Sequence, residues 1–237
     1  MTGLADLRGL SPFEAQALGL SLRASVAAVL WSLVPGIALG WLLARRDFPG
    51  RALLNAAVHL PLVLPPVVVG YLLLVLFGRN GPLGGPLADL FGVRLAFSQA
   101  GVVLACAVVA FPLLVRAIRQ SAEAADPRLE AAARSLGASE IRVFVTVTLP
   151  LMTPGILAGM TLAFARAVGE FGATITFAAN IPGQTQTLPL ALFTVTQTPG
   201  GEAQAARLCL LSLALAGGAL LASEWIARRL NWQEVRA

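Results

Sequence analysis

The chain has 237 residues, of which 57% are hydrophobic and only 12% charged, with a formal net charge of +5. Soluble domains carry about 25% charged residues, so this composition excludes a water-soluble fold and requires lipid over much of the surface. All 17 basic residues are arginine; they sit at the ends of apolar runs instead of along one face, which excludes a nucleic-acid-binding surface.

A membrane-crossing helix needs about 20 apolar residues. Five runs reach that length: 18–44, 53–78, 97–115, 151–179 and 203–227. They predict an all-α integral membrane protein with about five transmembrane helices, forming a single domain over residues 1–237. The first run ends in Ala44-Arg45-Arg46 and is too long for a cleavable signal peptide. The second carries His59 and then the pair Pro65-Pro66. Proline removes a backbone hydrogen bond and bends a helix, and in a bilayer the freed carbonyls need neighbouring helices or a wet cavity. The double proline therefore predicts a bent helix lining a pathway. His59, the only histidine, is read as a hydrogen-bonded structural group and not as a proton relay. Cys106 and Cys209 fall in the third and fifth runs and are expected to be buried, as small hydrophobes. No disulfide or metal-ligand spacing is present.

Between the third and fourth runs lies the longest connection, residues 116–147. Within it, Asp126 suits an N-cap, Pro127 the first helical position, and Gly137 the position past a C-terminus. These signals predict a helix over Pro127–Leu136. Leu129, Ala132, Ala133 and Leu136 then share one face, a narrow apolar stripe with little bulk. So short a helix is marginal alone and needs a docking surface, either a partner's groove or the protein's own spans.

The fourth run contains Pro154, Gly155, Gly159, Gly169 and Gly172, together with Arg166 and Glu170. An unpaired charge at mid-bilayer costs about 2.5–3.5 kcal/mol on insertion scales, so these i, i+4 neighbours are expected to pair. The pair is either a lining or gate of the pathway or a self-compensated structural bridge. The path or gate candidates are Pro65, Pro66, Arg166, Gly169, Glu170, Gly172 and Thr174.

Arginine placement predicts the orientation. With the N-terminus outside, Arg45, Arg46, Arg51, Arg116, Arg119, Arg128, Arg134, Arg142, Arg228, Arg229 and Arg236 lie inside. Only Arg8, Arg23, Arg79, Arg94 and Arg207 lie outside, and Arg166 sits within a span. The positive-inside rule then places the C-terminus in the cytoplasm. With no lysine, the chain cannot supply the lysine of a P-loop, and no nucleophile–base constellation stands out. Any ATP hydrolysis belongs to another polypeptide.

Ala132-Ala133-Arg134-Ser135-Leu136-Gly137, followed after nine residues by Val147-Thr148-Leu149-Pro150, resembles the EAA loop of bacterial ABC-importer permeases. The chain departs from that pattern at Ala131, where a glutamate is usual and Glu130 lies one residue earlier, and at Val147 in place of isoleucine. The resemblance implies an ABC-importer permease fold in the bacterial inner membrane. It also implies a coupling helix, with Leu129, Glu130, Ala132, Ala133, Arg134, Leu136 and Gly137 meeting an ATPase subunit. Ala165–Thr174, Ala179–Gly183, Thr185–Leu190 and His59–Tyr71 resemble the molybdate branch of that family. Gln184 stands where that branch commonly has arginine.

That branch implies two permease copies, two ATPase subunits that use the ATP, and a periplasmic molybdate-binding protein. It implies molybdate, and with it tungstate, as cargo, with no cofactor or metal bound directly by this chain. A sulfate or thiosulfate permease is the nearest rival. A proton-coupled secondary transporter is the rival from another class; it would usually be longer, with inverted repeats.

Overall fold

Every regular element among residues 10–234, the residues described by the computed structural model, is helical. Arg8 and Arg236, two of the arginines used to orient the chain, lie outside the described residues. Helix α1, Pro12–Arg45, starts six residues before the apolar run because Ser11 and Glu14 close a reciprocal capping box. The Ser11 N–H donates to Glu14 Oε2 at 2.8 Å, and the Glu14 N–H donates to Ser11 Oγ at 3.3 Å.

The second apolar run is two helices, not one: α2, Arg51–Val63, and α3, Pro66–Phe77, meet at an angle of 117°. The break falls at Leu64-Pro65, where the double proline predicts it. A short helix α4, Gly84–Phe91, leads to α5, Gln99–Ala124, which Ser98 caps by accepting from the Gly101 N–H at 3.1 Å. The apolar run stops at Val115, yet the helix continues to Ala124. Its polar last turns are held by Arg119, which donates to Glu123 Oε1 at 2.7 Å and to Asn55 Oδ1 of α2 at 2.9 Å.

Helices α6, Pro127–Ser135, and α7, Glu140–Val143, follow. A π-helical turn, Phe144–Thr148, then joins α7 to α8, Leu149–Val168. The fourth crossing is therefore one helix over Glu140–Val168, displaced toward the loop from the 151–179 read in the sequence. Its residues after Val168 form a break and a separate helix α9, Gly172–Phe177. Two more helices complete the chain: α10, Leu188–Thr196, and α11, Glu202–Glu234. Among the described residues four helices are long and apolar enough to cross a membrane, and the bent α2–α3 pair, counted as one broken span, brings the number to five.

Helix α5 is the centre of the bundle, packed between α1 and α8. Ala24 and Ala28 of α1, Cys106, Leu114 and Ile118 of α5, and Met152 of α8 share the main buried cluster. Small residues let the backbones approach, which is how helices associate when lipid competes equally for apolar contact. Gly155 and Gly159 of α8, for example, face Ser121 and Leu114 of α5. A second cluster joins α3, α5 and α9 through Val69, Leu73, Val109 and Phe177. A third joins the start of α1 to α10 and α11 through Ala17, Leu188 and Leu208. Cys106 is buried as expected, but Cys209 is exposed. Correcting that expectation, α11 packs chiefly on α8 and α10 and touches α1 near Leu208, leaving its other side open, so an apolar run there does not mean a protein-covered one. His59 is hydrogen-bonded within its own helix: its Nδ1 lies 2.8 Å from the Asn55 carbonyl oxygen one turn earlier.

Candidate functional site

Two sets of side chains stand out, at the two ends of α8. Thr148 and Arg166 are 18 positions apart, about 27 Å of helix at about 1.5 Å per residue.

At the first end, α6 has the predicted punctuation. Asp126 Oδ1 accepts from the Arg128 N–H at 2.9 Å. Leu136 is the C-cap, one residue earlier than read, and Gly137 follows with φ +84°, the left-handed region that favours glycine. Leu129 and Leu136 are 49% and 89% exposed, Ala132 is also exposed, and Ala133 is half-buried. The apolar stripe therefore does not lie on the protein's own spans. Ile141 of α7, 79% exposed, stands near it in sequence.

Glu130 points the other way. It is buried, and its Oε1 accepts from the Thr148 hydroxyl at 3.1 Å. The same oxygen lies 3.3 Å from Arg45 Nη2 at the end of α1, and Oε2 lies 3.5 Å from Arg134. Arg45 Nη2 also donates to the Ala125 carbonyl at the end of α5, at 2.9 Å. Arg134 is held by Glu140, with Nε–Oε1 at 2.6 Å and Nη2–Oε2 at 3.2 Å. Beside these groups opens a cleft of about 460 Å³, bordered by Trp41, Arg46, Pro127 and Glu140. The sequence reading missed Arg45 and Thr148. In the sequence Arg45 is only a topology signal, and Thr148 only a part of the EAA-like tail.

At the far end, α8 stops at Val168 and Gly169 is exposed. Glu170 is 1% exposed and has two attachments. Its Oε1 accepts from the Ala173 N–H at 2.7 Å, at the start of α9. Its Oε2 lies 2.7 Å from Arg166 Nη1, an ion pair without the alignment of a directed hydrogen bond. The Arg166 side chain is 28% exposed, so the cation of the pair is open on one side while the carboxylate is enclosed. Thr174 is buried and its hydroxyl donates to the Phe171 carbonyl at 2.8 Å.

Pro66 and the helix it opens meet this set through two glycines, whereas Pro65, the N-cap of α3, is exposed. A Cβ on Gly172 would lie 2.9 Å from Pro66 Cβ, and one on Gly70 would lie 2.6 Å from the Ala173 carbonyl oxygen. The bend of α2–α3 and the break between α8 and α9 are thus packed backbone to backbone. Gly70→Ala is expected to destabilise the protein by about 1–3 kcal/mol, the usual cost of overpacking, seen as a lower thermal midpoint in detergent; an unchanged midpoint would show that the approach is not tight.

Beyond α9, a polar cluster closes the loop into α10. Asn180 Nδ2 donates to Thr194 Oγ1 at 2.8 Å, and Gln186 Nε2 donates to Asn180 Oδ1 at 2.9 Å. Gln184, in the same loop, is exposed. Among the described residues no group of three or more His, Cys, Asp or Glu side chains is placed to hold a metal.

A family model described as "Binding-protein-dependent transport system inner membrane component" matches residues 36–230. The "Molybdenum transport system permease protein ModB" of Escherichia coli (strain K12) is 62% identical over 215 residues, covering 91% of this chain and 94% of that protein. The protein of the same name from Haemophilus influenzae is 57% identical, covering 92% and 95%. A "Probable sulfate transport system permease protein cysT" from Nephroselmis olivacea is 38% identical, covering 77% and 64%. Among solved structures, a chain of the MetNI methionine ABC transporter superposes with a TM-score of 0.71 at 17% identity, covering 93% of this chain and 99% of that one. At that identity the likeness is one of fold.

Proposed function

The chain belongs to the binding-protein-dependent transport system inner membrane component family, and on that premise we propose that it is the permease subunit of an ATP-driven molybdate importer. The observation that carries the import reading is α6, a doubly capped helix whose apolar stripe is left exposed through Leu129, Ala132 and Leu136. A stripe of small and aliphatic residues at helical spacing suits insertion into a groove, here the groove of an ATPase subunit. The molybdate reading follows the two named relatives, which are far more similar than the sulfate-named one. Tungstate, which carries the same charge on the same tetrahedral shape, is a second cargo.

Two copies of this chain form the path, each above one ATPase subunit that hydrolyses the ATP, and a periplasmic molybdate-binding protein delivers the anion. Five crossings are few to enclose a pathway. Large apolar side chains such as Trp31, Val34, Leu53 and Val63 are more than three-quarters exposed, leaving surface for lipid and a second copy. The orientation has the N-terminus outside. Arg45, Arg119 and Arg134 are joined by hydrogen bonds and ion pairs to the ends of α2, α5 and α6, so one end of the bundle carries the basic cluster expected on the cytoplasmic side.

Proteoliposomes holding the permease and its ATPase test this reading. Uptake of molybdate should require both ATP inside and the loaded binding protein outside. Uptake driven by a proton gradient alone would overturn it.

A further inference from the structure

The Glu130 carboxylate belongs to the ATPase-coupling helix yet is turned into the membrane domain. We propose that Glu130 is a positioning residue that clamps α6 to the ends of α1, α5 and α8, so that displacement of α6 is passed to the transport helices. This rests on the permease reading above.

Four contacts make the clamp. The Thr148 hydroxyl ties Glu130 to the last residue of the π-helical turn, directly under α8, at 3.1 Å. Arg45 approaches the same oxygen from the end of α1 at 3.3 Å. Through its 2.9 Å bond to the Ala125 carbonyl, Arg45 brings in the end of α5. Arg134 adds a looser contact from within α6. One carboxylate therefore touches, directly or through one guanidinium, the three helices that form the main core.

The burial supports transmission over docking. The Glu130 side chain is only 9% exposed and the Arg45 side chain 15%, so neither offers its charge to a partner on the outer face of α6. Meanwhile Leu136, on that outer face, is 89% exposed. The helix thus has one face for a partner and another for the membrane domain. A cleft of about 460 Å³, lined by Arg45, Glu130 and Arg134 themselves together with Pro127, leaves the clamped flank of α6 incompletely packed, which is the space into which the helix can tilt. The π turn is where that tilt would enter α8, since π turns are irregular insertions frequently found at functional sites.

The test uses the complete reconstituted transporter and reads two quantities: retention of the ATPase subunit during purification, and molybdate taken up per ATP hydrolysed. Glu130→Gln and, separately, Thr148→Val should keep the ATPase bound. Each should lower uptake per ATP by about tenfold, within the range of coupling between sites. Arg45→Glu combined with Glu130→Arg restores an ion pair of reversed polarity and should recover much of the ratio, a rescue that a packing role would not give. Thr148→Val decides the matter if Glu130→Gln fails to insert. A wild-type ratio in Thr148→Val together with no rescue by the reversed pair overturns the clamp. Loss of the ATPase subunit from Glu130→Gln overturns it too, by making Glu130 a docking residue while leaving the permease reading intact. A wild-type complex that takes up nothing with ATP and loaded binding protein would instead sink the reading beneath it.

Discussion

Arg166→Ala is expected to lower molybdate uptake at least about 100-fold while the protein still inserts in the membrane. Removing the guanidinium leaves Glu170, 1% exposed, with no cation beside Oε2. Breaking a buried ion pair by deleting one partner costs about 3–5 kcal/mol, and each factor of ten is about 1.4 kcal/mol. The strain falls at the α8–α9 break, where Glu170 also accepts from the Ala173 N–H. A purely structural bridge would suffer in the same way, so a second variant separates the roles. Arg166→Met with Glu170→Gln removes both charges at similar volume and keeps an acceptor for the Ala173 N–H, close to the apolar replacement of an ion pair that is often neutral for stability. If the pair only holds the helices together, uptake should return with the thermal midpoint. If Arg166 is a way-station for the dianion, as its open side suggests, the midpoint should recover and uptake should not. Wild-type uptake by both variants would remove the pair from the pathway.

The second large effect is expected at the opposite end of α8. Leu136→Asp should weaken binding of the ATPase subunit at least about 30-fold, the equivalent of a hot-spot residue of about 2 kcal/mol. Leu136 is 89% exposed, so the substitution removes nothing from the protein's own core, and expression and insertion should stay unchanged. A carboxylate pushed into an apolar groove is both a lost contact and an unpaired charge. The measurement is co-purification of the two subunits from detergent; undiminished recovery of the ATPase with Leu136→Asp would sink the docking assignment.

Much of this architecture is legible in the sequence, because a bilayer makes simple demands. Helix length, apolar content and the need to satisfy every backbone group yield the four long crossings and the apolar α2–α3 pair, and the double proline locates the break in that pair. The Asp126, Pro127 and Gly137 signals place α6 to within one residue, since capping is local chemistry. The errors lie where hydropathy and helicity part company. Helix α5 runs on past Val115 because Arg119 finds Glu123 and Asn55, and no hydropathy window registers such bonds. The fourth crossing shifts from 151–179 to Glu140–Val168 because Gly169 and Gly172 end one helix and open another inside a continuous apolar run. At the site, the i, i+4 spacing foretold the Arg166–Glu170 pair. It could not reveal that Glu130 faces inward, because its partners Arg45 and Thr148 are respectively 85 residues before and 18 residues after it in the chain.

The π-helical turn at Phe144–Thr148 carries one more consequence, which concerns phase. An α-helix advances about 100° per residue, and a π turn amounts to one extra residue set into that screw. Because the wide turn absorbs that extra residue, α8 leaves it in the phase that an α-helix one residue shorter would give. Forcing Phe144–Thr148 into regular α-helix at unchanged length would instead rotate everything from Leu149 onward by roughly 100° relative to α7. Gly155 and Gly159 would turn away from Ser121 and Leu114, bulkier side chains would take their place against α5, and Arg166 would point to a different neighbour. The turn therefore works as an indexing step: it aims α8 by keeping one surplus residue confined to these five positions.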